Sequence, residues 1–133
     1  MLIGYVGYCV NELESNKQIK ILEEAGCKKV FVEKVLDDQN SRPNLDLAIS
    51  SMQVSDILVV ITIKHVATSL KELMAICRKI FELSLKFHSE LGFKSLKEPE
   101  FNTESHHGKA MFQIFSVCSK FDHEYFSPAG VVN

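Results

Sequence analysis

The chain has 133 residues, 46% hydrophobic and 24% charged, with a formal net charge of −2. That suits one domain with one core and excludes global disorder. The charge gives no overall attraction to nucleic acid, and only two arginines, Arg42 and Arg78, occur. No apolar run reaches the roughly 18 residues that cross a bilayer, and the N-terminus lacks a secretion-signal layout. We therefore expect a soluble, cytoplasmic protein without membrane contact.

The first nine residues organise the chain. Leu2-Ile-Gly-Tyr-Val6 reads as an apolar strand that delivers Tyr8 and Cys9 to a turn. A strand opening an alternating strand and helix pattern is usually central in a parallel sheet, and its carboxyl end faces the crevice where such sheets bind ligands. Cys9 stands at that end, and two readings stay open: a small packed hydrophobe or a nucleophile.

A helical stripe follows through Ile19, Ile21, Leu22 and Ala25, stopped by Gly26. Val30 to Val35 reads as a β-branched second strand, and Asp37 to Ser41 as a polar loop. Pro43 suits the first turn of a short helix carrying Leu45, Leu47, Ala48, Ile49 and Met52, with Ser41 or Arg42 near its cap. The run Ile57 to Ile63 is expected as a strand buried on both faces.

Ser69, with Glu72 three residues on, caps a long amphipathic helix through Leu83 that extends to about Leu91, before Gly92. Phe93 to Leu96 is a short strand. His106-His107 read as solvated loop residues, and the last helix runs from Lys109 to about Phe126, ended by Ser127-Pro128. Its apolar residues cover most of its circumference, so two packing partners are expected. His123 is read as exposed.

The cysteines at 9, 27, 77 and 118 form no Cys-x-x-Cys and no Cys/His cluster at zinc spacing, so neither a metal nor any other cofactor is expected. Cys27, Cys77 and Cys118 read as packing residues.

Several stretches together carry a resemblance: Met1 to Val6, Gln18 to Lys20, Leu22 to Gly26, Val30 to Val35, Arg42 to Ala48, Asp56 to Val60, Ser69 to Leu73 and Gly108 to Phe115. Over residues 1–126 the chain resembles the catalytic domain of serine recombinases, the resolvase/invertase family. The resemblance implies a three-layer α/β domain with a mostly parallel sheet of four or five strands in the order 2-1-3-4. It also implies helices on both faces and a long C-terminal helix, 109–126, that forms the interface of a homo-oligomer. Residues 127–133 would be a tail, with no DNA-binding domain present. Family members cut DNA through a serine hydroxyl, form phosphoserine links and religate after exchange, without metal or nucleotide.

The departures gather at the positions that the resemblance makes catalytic. Cys9 stands where the nucleophilic serine is implied, and Gly7 where an arginine is implied. In the second motif Lys64 replaces an aspartate, while His65 and Thr68 replace arginines. Arg42 and Gln18 keep the residues the resemblance implies. One arginine at a phosphoryl transition state is worth about 10³–10⁵ in rate. Lys64 and His65 would return some positive charge, but without the planar fork that grips two phosphate oxygens.

The expectation is a catalytically inactive remnant that oligomerises or regulates, meeting DNA weakly or through a partner recombinase. The alternative is an enzyme using Cys9 as nucleophile in DNA phosphoryl transfer or thiol chemistry, its thiolate favoured by neighbouring Lys64 and His65.

Overall fold

The computed structural model describes residues 1–9, 12–34 and 42–126; the side chains of Tyr8, Cys9, Glu12 and residues 122–126 are outside that description. The expected polar loop at 37–41 and the tail therefore lie outside the described residues, as does the side chain of His123.

In order, the elements are β1 (Leu2–Cys9), α1 (Glu12–Glu24), β2 (Cys27–Lys34), α2 (Pro43–Ser50) and β3 (Ile57–Val60). A 3-10 turn (Ile63–His65), α3 (Leu70–Phe87), β4 (Gly92–Ser95) and α4 (His106–Phe126) follow. The four strands form one parallel sheet in the order β2-β1-β3-β4, as expected.

Period-two alternation sorts the strand residues onto two cores. One face presents Val6, Val59 and Ile61 to Leu22 of α1, with Val30 and Val32 beside them. The other presents Ile3, Tyr5, Leu58, Val60 and Phe93 to Leu45 and Ile49 of α2, Leu73 and Ile80 of α3, and Phe112 of α4. The result is three layers, with α1 on one face and the remaining helices on the other. Because the chain steps outward from β1 to β2 and then crosses back to β3, the connection reverses at the carboxyl ends of β1 and β3. That is the switch point at which open α/β sheets hold ligands.

Several boundaries differ from the sequence reading. β2 begins at Cys27, three residues earlier than expected, because the backbone pairs with Leu2 directly after Gly26, which takes a φ of 105°. β3 ends at Val60 instead of Ile63. Glu98 captures the hydroxyl of Thr62 at 3.0 Å and the N–H of Ile63 at 2.9 Å, and the chain turns there.

α3 stops at Phe87, not near Leu91. His88 adopts the left-handed conformation that usually calls for glycine, and the Ser89 N–H closes onto the Ser84 carbonyl. α4 starts at His106, so both histidines once read as loop sit exposed in its first turn. Its N-terminus is fixed by the Ser105 hydroxyl, which accepts from the Gly108 N–H at 3.0 Å.

Cys27 and Cys77 are buried, and burial pushes their thiols up to about 11 and about 12. They are packing residues, as expected. Cys118 is exposed, contrary to expectation, because its position on α4 turns away from α3.

Two faces of α4 lie opposite one another. Gly108, Phe112, Ser116 and Ser119 are buried. At 100° per residue, Ile114, Val117 and Phe121 fall on the opposite side, and they are 58%, 63% and 53% exposed. The helix thus buries one side against the larger core and presents exposed apolar residues on the other.

Phe93 is 1% exposed at the centre of the larger core. Phe93→Ala is expected to cost about 3–5 kcal/mol, read as a lowered urea midpoint with an unchanged slope.

Candidate functional site

The carboxyl ends of β1 and β3 meet through an unusually close backbone approach. A Cβ on Gly7 would lie 2.2 Å from the carbonyl oxygen of His65 and 3.0 Å from its carbonyl carbon. The Ile63–His65 turn therefore rests directly on β1, two residues before Cys9, and only glycine permits that contact. Cys9 is the last residue of β1, where its backbone pairs with Lys34 of β2.

Arg42 reaches this turn from the start of α2. Its Nη1 donates to the His65 carbonyl at 2.9 Å, and its Nη2 stands 3.6 Å from Glu72 Oε2 on α3. The start of α2 is held by Glu33, whose Oε1 accepts from the N–H groups of Asn44 and Leu45 at 3.0 and 3.1 Å and from the Tyr5 hydroxyl at 3.2 Å. Arg42 occupies the N-cap position of α2 without a side-chain cap bond, so Glu33, from β2, does the capping. Burial first, then the Glu33 carboxylate, pushes the Tyr5 phenol well above its ordinary range, which keeps it a neutral donor.

The other expected residues are distributed around this turn. Lys64 is exposed and His65 is half-buried. Thr68 donates to Glu72 Oε1 at 2.7 Å, so the Glu72 carboxylate serves both Thr68 and Arg42. Ser69 accepts from the Glu72 N–H at 3.2 Å, which completes the N-cap half of the expected capping box. Gln18 lies on α1 and donates to Glu14 at 3.3 Å.

Burial works against a charge on His65. Burial holds its imidazole below the ordinary value and Lys97 adds to the effect, against the opposing pull of Glu14 and Glu98. Among the described residues its buried Nδ1 has no hydrogen-bond partner.

Glu33, Glu72 and Glu98 are the site residues that the sequence reading missed. Glu33 shares a strand face with Phe31, and a carboxylate on that buried face was the available signal. Glu98 had none, since it acts from an irregular segment after β4. Its carboxylate accepts from Ser95 as well as from Thr62 and Ile63. Burial raises its pKa, but those three bonds and Lys97 outweigh the rise and hold it below the usual carboxylate range.

Among the described residues no cluster of His, Cys, Asp and Glu is arranged to hold a metal ion. A cavity of about 690 Å³ lies at the opposite, amino edge of the sheet, between the end of α3 and the start of α4. Ile57, Leu85, His88, Lys109 and Phe112 are among its lining residues, and none of the expected site residues reaches it.

A doubly wound parallel sheet, with its switch point closed by an Arg42-bound turn and a long helix lying across one face, defines the class. Residues 3–127 match the family "Resolvase, N terminal domain", and the chain belongs to that family. It is 28% identical over 124 residues to the serine recombinase gin of Escherichia phage Mu, covering 93% of this chain and 61% of that protein. It is 25% identical over 122 residues to the DNA-invertase hin of Salmonella typhimurium, covering 92% and 60%. The chain thus spans about three fifths of the length of these curated relatives. No helix among the described residues is long and apolar enough to cross a membrane.

Two measurements check this electrostatic account. A histidine-resolved NMR titration is expected to place the His65 midpoint below the ordinary imidazole value of about 6.5; a midpoint at or above that value would contradict the effect of its burial. Glu98 has a folded pKa below its unfolded value, so its contribution is fully present above the unfolded value and is lost as pH falls through the folded one. Glu98→Gln is expected to lower stability by about 1–3 kcal/mol at neutral pH, with the gap to the parent closing in acid, as read by urea denaturation.

Proposed function

We propose that this resolvase-family domain has lost phosphoryl transfer and is retained as an assembly module, joining a second copy of itself or a related recombinase through α4. One observation carries the loss of chemistry: the whole chain has two arginines, and the one at the strand ends is engaged by a backbone carbonyl and a carboxylate. Arg78, the other, is on α3 and pairs with Glu82 at 3.9 Å. A phosphodiester in transfer needs several preorganised cations on its oxygens. A half-buried His65, whose charged form burial disfavours, and a hydroxyl at Thr68 do not replace them.

The names of the relatives, a serine recombinase and a DNA-invertase, give the process in which such a module would act. The alternative, Cys9 as an active nucleophile, has its place at the end of β1 in its favour, but with two arginines in the chain it would lack the several cations that phosphoryl transfer needs. DNA contact would come chiefly from the partner recombinase, because few Lys and Arg are available to neutralise phosphates.

The assembly half of the proposal rests on the exposed apolar side chains of Ile114 and Val117 on one side of α4. Exposed contiguous apolar stripes of this kind mark interfaces. Size-exclusion chromatography with light scattering at high micromolar concentration is expected to give a dimer or larger species. Ile114→Asp with Val117→Asp should return it to a monomer with unchanged helical content. A parent chain that stays monomeric throughout would contradict the assembly role.

A further inference from the structure

We propose that the Ile63–His65 turn is a latch that shuts the crevice at the ends of β1 and β3, and that Arg42 is the positioning residue that bolts it. The inference deepens the reading of lapsed catalysis and rests on it. It makes the loss of activity a property of backbone packing as well as of missing side chains.

The turn is fastened at three points. At its start, Glu98 takes the Thr62 hydroxyl and the Ile63 N–H. At its end, the His65 carbonyl lies so close to Gly7 that no Cβ fits between them. That carbonyl accepts from Arg42 Nη1 at 2.9 Å. Beyond the turn, Glu72 ties the other arm of the guanidinium to the Thr68 hydroxyl.

A guanidinium fork recognises a phosphate by offering two parallel N–H donors to two oxygens. In this chain one arm is spent on a carbonyl oxygen and the other faces a carboxylate. A phosphate gripped through both terminal nitrogens would compete with that carbonyl and meet the negative charge of Glu72. The fork has therefore changed partners, from the anion that the family's chemistry needs to the protein's own turn.

Gly7 and the latch require one another. A side chain at position 7 would drive its Cβ into a backbone carbonyl, and a carbonyl cannot swing aside as a flexible side-chain tip does. The turn must lift before any larger residue fits. Restoring an arginine at position 7 alone would thus not rebuild a phosphate grip on the closed structure; it would first have to open it.

Amide hydrogen exchange on the purified chain tests this directly. The reporters are the N–H groups of His65, Val66 and Ala67, which bond to Thr62 and Ile63 carbonyls across the turn. Arg42→Ala and Gly7→Ala are each expected to speed exchange there by about tenfold or more, as local opening without global unfolding. Leu58, Val59 and Val60 in β3 should keep their protection. Arg42→Lys, which keeps the charge but loses the fork, covers the case in which the alanine variants fail to fold, and should loosen the same amides.

Inorganic phosphate is the second probe. It is expected to leave the Arg42 Nε–H resonance of the parent chain unmoved. Turn amides that exchange equally fast in the parent and in folded Arg42→Ala or Arg42→Lys would overturn the latch, as would a saturable phosphate shift at Arg42 in the parent. Both readouts are made on the chain alone, so they decide the latch whether or not it dimerises or cuts DNA.

Discussion

Everything at the strand-end crevice follows from the approach of one carbonyl oxygen to one α-carbon. With Glu98 holding Thr62 and Ile63 and His65 O seated against Gly7, the segment after β3 leaves the sheet as a tight turn. Arg42 and Glu98 then find partners on that turn, and Glu72 pairs with Arg42 and Thr68 beside it. The sheet around it is ordinary. Its order, its parallel register and its two buried faces are what place the ends of β1 and β3 side by side.

Three carboxylates maintain this arrangement, and none of them is among the residues that the family resemblance makes catalytic. Glu33 joins β1, β2 and α2 through one oxygen, and thereby sets where Arg42 begins. Glu72 fixes the far side of the guanidinium, and Glu98 folds the chain away from β3. Hydrogen bonds to charged acceptors are stronger than neutral ones, and each contributes about 1.5–3 kcal/mol. The crevice is thus rich in satisfied negative groups, which is the reverse of what a bound phosphodiester requires.

The sheet was legible because its signals are local. Leu2 to Val6 and Ile57 to Val60 are continuous apolar runs, and Gly26, Pro43 and Ser69 punctuate the chain at the places where elements change. Boundaries failed where a distant partner decided them. Glu98 truncated β3 from 35 residues away, and the left-handed His88 ended α3 without glycine. The positions of Arg42, His65 and Thr68 around one turn followed from the resemblance. That Arg42 faces inward, and that burial disfavours a charge on His65, depends on packing that no spacing rule encodes. Gly7 looked like a missing arginine in the sequence; in the fold it is the residue that lets the turn close.

The central claim is that the domain retains a recombinase fold without its phosphoryl transfer. A duplex that traps strand cleavage, carrying the crossover site used by a related active recombinase, tests it when mixed with excess protein and resolved on a denaturing gel. The account requires that no protein–DNA covalent species form, at any protein concentration. A covalent band that disappears on Cys9→Ala would contradict it.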